Sequence, residues 1–213
     1  LIKRKLVFVN GKCITKTGFA VDENDRVEVE KTLAYVSRAG LKLEDAYHSF
    51  NLDFKGLTVI DVGSSTGGFT DFALKKGAKK VYAYDVGKDQ MDQVLRKDER
   101  IKLFEQTNIL DVDLPNADMV TIDVSFTSIL PILKHFKGHQ AYIVALIKPQ
   151  FEVGPKWVKK GIVKDQKVIE KMLLKLKEDI DQLNFNVLRE KTCDLKGKMG
   201  NQEYIFLLKK KLK

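Results

Sequence analysis

A chain of 213 residues with 44% hydrophobic content has room for one full α/β core and a small appendage, which excludes two large domains. Its 38 Lys and Arg outnumber 29 Asp and Glu for a net charge of +9, a balance that favours a polyanionic partner over a merely solvated lysine-rich surface. Two cysteines, Cys13 and Cys193, lie outside any C-x-x-C spacing, no apolar run reaches the roughly 18–20 residues of a membrane span, and no secretory leader opens the sequence. A disulfide framework, a zinc centre and a membrane span are set aside, and the expectation is a soluble cytoplasmic protein.

In chain order, Leu6–Val9, the turn Asn10-Gly11, Cys13–Thr15 and Val27–Val29 predict short strands around a hairpin. A helix start falls near Tyr35–Arg38, with Lys42–Phe50 helical. From there strands and helices alternate as a parallel sheet demands: Leu57–Val62, the crossover helix Gly68–Lys76 closed by Gly77, then strands Val81–Asp85, Ile101–Gln106, Met119–Asp123 and Ala141–Ile147. In Lys167–Leu183, Ile169, Met172, Leu173, Leu176, Ile180 and Leu183 recur at helical spacing, so this helix covers a sheet face. Asn184–Cys193 and Glu203–Lys209 predict a closing antiparallel hairpin. His135 and His139 have the i,i+4 spacing of a metal pair, but Gly138 between them ends the helix, so no metal is expected.

The most informative stretch is Asp61-Val62-Gly63-Ser64-Ser65-Thr66-Gly67-Gly68-Phe69-Thr70, where buried strand, glycine-rich turn and helix start follow one another. The spacing is neither G-x-G-x-x-G nor G-x-x-x-x-G-K-[ST], so dinucleotide and nucleoside-triphosphate sites lose ground. A second acid, Asp85, ends the next strand, where it suits ribose hydroxyls. The pair resembles the S-adenosylmethionine site of a Rossmann-like methyltransferase. Further polar residues stand at strand ends: Thr107-Asn108, Asp123-Val124-Ser125-Phe126 and Lys148-Pro149-Gln150-Phe151. Each has a bland alternative, a helix cap for Asp123 or Ser125, a snorkelling stem for Lys148, a satisfied turn for Ser64, Ser65 and Thr66.

Basic residues without acids cluster at Lys3, Arg4, Lys5, Lys12 and Lys16 and again in Pro155–Lys164, and seven lysines stand from Lys191 onward against Asp194 and Glu203. Such clusters are what a phosphate backbone requires, solvated surface being the alternative.

Taken together, Ser37–Glu44, Asp61–Thr70, Thr107–Ile109, Thr121–Phe126 and Leu146–Glu152 resemble the motifs of the TlyA/hemolysin A family of S4-linked, FtsJ-like ribosomal RNA 2′-O-methyltransferases. The resemblance implies a Rossmann-like α/β methyltransferase, with a mostly parallel sheet and an antiparallel final strand, at residues 32–213. Residues 1–31, whose V-x-V-N-G-K pattern is similar to the C-terminal part of an S4 RNA-binding domain, precede it without the helical half of that domain. It further implies S-adenosylmethionine as cofactor, ribosomal RNA or a ribosomal subunit as partner, and a Lys-Asp-Lys-Glu tetrad at Lys42, Asp123, Lys148 and Glu203. Lys148 is the expected base, and Glu203 stands at the start of what reads as an ordinary edge strand. For the cofactor the implied set is Asp61 at the strand end, Gly63, Ser64, Thr66 and Gly67 facing the methionine moiety, Asp85 at the ribose, and Asn108 and Ile109 at the adenine. Departures from the family pattern are Ala39 where glycine is common and Ser64 where alanine is common. Two other readings remain, a non-catalytic RNA-binding module and a membrane-active protein of the kind the name hemolysin suggests.

Overall fold

The computed structural model describes residues 2, 7–29 and 34–211. The expected domain boundary after residue 31, the start of the first strand at Leu6 and the basic residues Lys3, Arg4, Lys5 and Lys213 lie outside the described residues. The chain divides into two compact units, Leu1–Ala34 and Tyr35–Lys213.

In the first unit, β1 (Val7–Val9), β2 (Lys12–Cys13) and β3 (Val27–Val29) form an antiparallel sheet in the order β2-β1-β3. Asn10 and Gly11 have φ of +49° and +77°, the left-handed conformation that a two-residue hairpin turn requires at both central positions. The Asn10 side chain accepts from the Arg26 N–H at 3.0 Å and donates to Asp25 Oδ1 at 2.7 Å, so one amide ties both turns of the unit.

The second unit runs α1 (Arg38–Phe50), β4 (Thr58–Val62), α2 (Gly68–Lys75), β5 (Lys80–Tyr84), β6 (Ile101–Phe104), β7 (Met119–Ile122), α3 (Leu130–His135), β8 (Tyr142–Ile147), α4 (Pro149–Glu152), α5 (Gln166–Gln182), β9 (Phe185–Thr192) and β10 (Tyr204–Lys210). Its seven strands are ordered β6-β5-β4-β7-β8-β10-β9. The pairs from β6 to β8 are parallel, and β10 is antiparallel to both β8 and β9. The closing hairpin therefore inserts its second strand into the sheet, and β10 is an interior strand where an edge was expected. Its burial explains why Ile205-Phe206-Leu207-Leu208 is a continuous apolar run.

Side chains alternate between two cores with the period of two that strands impose. Along β8, Ile143, Ala145 and Ile147 enter the core roofed by α3 and α5, and Val144 and Leu146 enter the core roofed by α1 and α2. Ile169, Met172, Leu176 and Ile180 form the buried stripe of α5. At an apolar-area gain of roughly 25 cal/mol per Å², these double-sided strands are what anchors the ends from which the polar loops project. The strand order reverses between β4 and β7, and the loops after their carboxyl ends flank that switch point, where open α/β sheets bind ligands.

Candidate active site

The loop after β4 is shaped by two glycines. Gly63 has φ +80°, and a Cβ there would stand 2.5 Å from the Asp123 carbonyl oxygen, so only glycine lets the β4 and β7 loops touch. Gly67 has φ +92° and caps the start of α2, where a Cβ would meet Leu95 Cδ1 at 2.4 Å. Between them Ser64 is buried and its Oγ has no hydrogen-bond partner, while Thr66 is exposed.

Asp61 is placed below this loop rather than on it. Its side chain, 1% exposed, accepts from Thr70 Oγ1 on α2 at 2.6 Å and from Thr121 Oγ1 on β7 at 2.8 Å. Burial pushes its carboxyl up to about 6 against the pull of both hydroxyls, and the nearby Asp123 adds to the rise. Both oxygens are engaged inside the protein, so Asp61 braces the loop from below and is not among the residues that line the two cavities. Gly67, covered by Leu95, is likewise a shaping residue and not a wall of the cavity.

Asp85, just past β5, accepts from the Ser65 N–H and the Gly87 N–H, each at 2.7 Å, and lines a cleft of about 490 Å³. Gly63, Asn108, Ile109 and Asp123 line the same cleft. Asn108 Oδ1 accepts from the Leu110 N–H at 3.1 Å and so starts the short turn Ile109–Asp111 that forms one wall. A smaller pocket of about 150 Å³ adjoins it through Gly63, Ser65, Asp123 and Ser125, and adds Ser37, Ser64, Thr66, Gly68 and Lys148 to the lining.

Lys148 Nζ lies 2.6 Å from Asp123 Oδ1 and donates to Ser125 Oγ at 3.1 Å. Lys42 Nζ donates to Glu203 Oε2 at 2.5 Å, with the glutamate side chain only 3% exposed. Tyr204 pairs with Ile147, and continuing that antiparallel register by one residue sets Glu203 opposite Lys148. The four tetrad positions thus form two ion pairs on three neighbouring strand ends and α1. Cys193 lies within electrostatic reach of Lys42, Glu203 and Asp123, but burial pushes its thiol up to about 12, which keeps it protonated and inert.

Three features escaped the sequence. Ser37 stands at the N-cap position of α1, yet it makes no side-chain cap bond, and its buried Oγ lacks a partner inside the smaller pocket. Phe126, with φ +66° and 91% exposed, stands at the rim of the larger cleft against the ring of Phe151, 5.3 Å between centroids. Glu152 accepts from Ser128 Oγ at 2.6 Å and the Ile129 N–H at 2.9 Å, fastening the loop that carries Phe126 to α4. His135 bonds the Val112 carbonyl through Nε2 at 3.0 Å, and α3 closes before His139, so the two rings do not share a helix face.

A seven-stranded sheet with one inserted antiparallel strand, a glycine cradle at its switch point and an acid at the neighbouring strand end define the class of Rossmann-like methyltransferases. The FtsJ-like methyltransferase family model matches residues 35–210. The chain belongs to the FtsJ-like methyltransferase family. It is 39% identical over 208 residues to hemolysin A of Brachyspira hyodysenteriae, covering 93% of this chain and 87% of that one. Over 220 residues it is 35% identical to the 16S/23S rRNA (cytidine-2′-O)-methyltransferase TlyA of Mycobacterium tuberculosis, 98% of this chain and 82% of that one. A solved structure from Streptococcus thermophilus described as a hemolysin superposes with a TM-score of 0.83 at 36% identity, covering 99% of this chain and 80% of its own. Among the described residues no helix is long and apolar enough to cross a membrane.

Proposed function

We propose that this chain transfers a methyl group from S-adenosylmethionine to a ribose 2′-hydroxyl of ribosomal RNA. The observation that carries the reading is the pairing of Lys148 with Asp123 and of Lys42 with Glu203 beside the pocket that Ser64 and Gly63 line. Family membership and the name of the Mycobacterium tuberculosis relative support it.

The residues present fit the cofactor. Ser37 and Ser64 offer buried, unpartnered hydroxyls for the charged amino-acid end, and a Cβ at Gly68 would fill that space, 2.3 Å from Ser37 Oγ. Asp85 stands where ribose hydroxyls would be received, and Asn108 and Ile109 where a base would pack. Thr66 and Gly63 complete the cradle, and Asp61 and Gly67 hold its shape. When bound, S-adenosylmethionine supplies a methyl group on a sulfonium, an electrophile that needs no metal.

The chain's own residues then have to present and deprotonate a weak nucleophile. Lys148 Nζ, in its neutral form, takes the proton from the 2′-oxygen as the bond to carbon forms, and Asp123 holds the resulting ammonium. Lys42, fixed by Glu203, orients the hydroxyl from the opposite side for in-line attack. Phe126 offers an exposed ring on which an unpaired base can stack, the usual way of holding a nucleotide outside a helix. Residues 1–31 act in this reading as the C-terminal part of an S4-like RNA-binding domain and residues 32–213 as the methyltransferase domain.

The test is transfer of tritiated methyl from S-adenosylmethionine to bulk ribosomal RNA, followed by alkaline hydrolysis. Label retained in alkali-resistant dinucleotides is the expected result; label on bases, or none in RNA, overturns the reading.

A further inference from the structure

After α4 the chain forms a hairpin, with Lys159 and Ile162 exchanging both backbone hydrogen bonds across a turn in which Lys160 and Gly161 have φ of +51° and +78°. The loop between β9 and β10 lies against it. Buried Asn201 accepts from the Val163 N–H at 3.0 Å and donates to the Gly161 carbonyl at 2.7 Å, and Met199 lies over Gly161. One amide thereby fuses two loops into a single surface.

That surface carries Lys156, Lys159, Lys160 and Lys164 from the hairpin and Lys196 and Lys198 from the loop, all exposed and none paired with a carboxylate among the described residues. The acids that flank them are engaged elsewhere: Asp165 caps α5 by accepting from the Lys167 and Val168 N–H groups, and Asp194 faces Lys191. Trp157 is 42% exposed beneath the Lys156 ammonium, 5.2 Å from its ring centroid. The patch also borders the ion pairs, since a Cβ on Gly197 would reach Glu203 Oε1 at 2.2 Å and Arg38, four residues before Lys42, bonds the Lys196 carbonyl at 3.1 Å.

Resting on the proposed function, we infer that the hairpin 155–164 and the loop 194–202 form one docking surface for an RNA phosphate backbone, with Trp157 as a stacking site for a base. Unpaired cations release counterions when they meet phosphates, and an exposed aromatic among them suits single-stranded RNA. Position selects RNA over an anionic lipid surface, because the cations frame the site where a ribose must be presented and lie on no amphipathic helix.

The experiment measures binding of a fluorescein-labelled, mixed-sequence RNA hairpin to the full chain between about 50 and 200 mM salt, the range in which phosphate contacts register. Lys156→Gln/Lys159→Gln/Lys198→Gln should weaken binding about tenfold or more and flatten the slope of log K against log salt by about 2, at roughly 0.7–0.9 per phosphate contact. The control, Lys55→Gln/Lys79→Gln/Lys137→Gln, alters exposed lysines that precede β4, β5 and β8, at the opposite ends of the strands, and should keep the wild-type slope. Trp157→Ala should lower affinity with the slope unchanged. Equal losses in the two triple variants, or a patch-dependent binding to phosphatidylserine vesicles as strong as that to RNA, would overturn the surface. The binding arm needs no catalysis: wild type that binds RNA through the patch but transfers no methyl overturns the proposed reaction alone, and methyl transfer with a patch-independent slope overturns the surface alone.

Discussion

At the residue scale the sharpest distinction is between an amine that takes a proton and one that only carries charge. Lys148 stands 2.6 Å from Asp123 Oδ1 and 3.1 Å from Ser125 Oγ, so a substitution there removes a group without opening the core. Lys148→Ala should keep cofactor affinity and lower methyl transfer by about 10²–10⁴, the usual cost of losing a general base. Lys148→Arg should not rescue, because guanidinium stays protonated. Single-turnover rates with both variants check this, and near wild-type turnover by Lys148→Arg would make the residue an electrostatic clamp. Asp61 poses a separate question of stability. Its carboxyl is raised to about 6 in the fold from an unfolded value of about 3.9, so the native state holds a proton that the unfolded chain gives up. Stability from this group is therefore greatest below about pH 4, declines as pH rises from about 4 to 6, and stays low above that window. Asp61→Asn removes this dependence, and the stability of wild type relative to the variant should fall across the window by on the order of 2–3 kcal/mol. Denaturant unfolding at pH 4, 5, 6 and 7 measures it; parallel pH profiles for the two proteins would mean that Asp61 is ionised throughout.

At the scale of elements, the junction between the Lys-rich hairpin and the loop before β10 depends on the one amide of Asn201. Asn201→Ala leaves the Val163 N–H and the Gly161 carbonyl without partners, each worth about 1–3 kcal/mol when buried. The effect should be local, because neither loop contributes to the sheet. Trypsin should then cleave after Lys159 or Lys160 much faster than in wild type while the thermal midpoint falls only modestly, and unchanged cleavage would show that Met199 and the backbone suffice to hold the hairpin. This junction also marks the limit of what the sequence reveals. Parallel central strands such as β4 and β8 are apolar on both faces, so their runs are visible within a residue or so of the observed ends. The helix start expected near Tyr35–Arg38 falls at Arg38, although the apolar spacing that marks the helix is clear only from Lys42 onward, because Arg38-Ala39-Gly40 contributes none. That β10 lies inside the sheet is a matter of long-range pairing, and no local pattern records which strand of a hairpin turns inward. Lys42, Asp123 and Lys148 stand inside the ordered motifs and Glu203 outside them in a plain strand start, whereas the unsatisfied Ser37 and the bridging Asn201 were hidden because whether a polar atom is satisfied depends on distant segments.

At the scale of the whole molecule, the two units differ in how they bury apolar surface. Among the described residues, both hydrophobic cores are assembled from the range Tyr35–Leu208, with none from the first unit. Within the first unit, Val9 and Ile14 are the buried hydrophobic side chains among the described residues, too few for about 34 residues to hold a fold unaided. The glycine cradle, both ion pairs and the lysine-rich hairpin belong to the second unit. A fragment spanning residues 35–213 should therefore fold cooperatively, with a thermal midpoint within a few degrees of the full chain and the same affinity for S-adenosylmethionine. Its affinity for RNA should nonetheless fall, since Lys12 and Lys16, exposed on the first unit, are lost with the remainder of that basic segment. Each phosphate contact removed should lower the salt slope by roughly 0.7–0.9, so a fragment with two fewer contacts would read about 1.5 lower. Scanning calorimetry, cofactor titration and the salt series on the same two proteins separate these effects. A fragment that aggregates or loses cofactor affinity would place the first unit within the structural foundation of the methyltransferase unit, and one that keeps the full salt slope would assign all phosphate contacts to residues from Tyr35 onward.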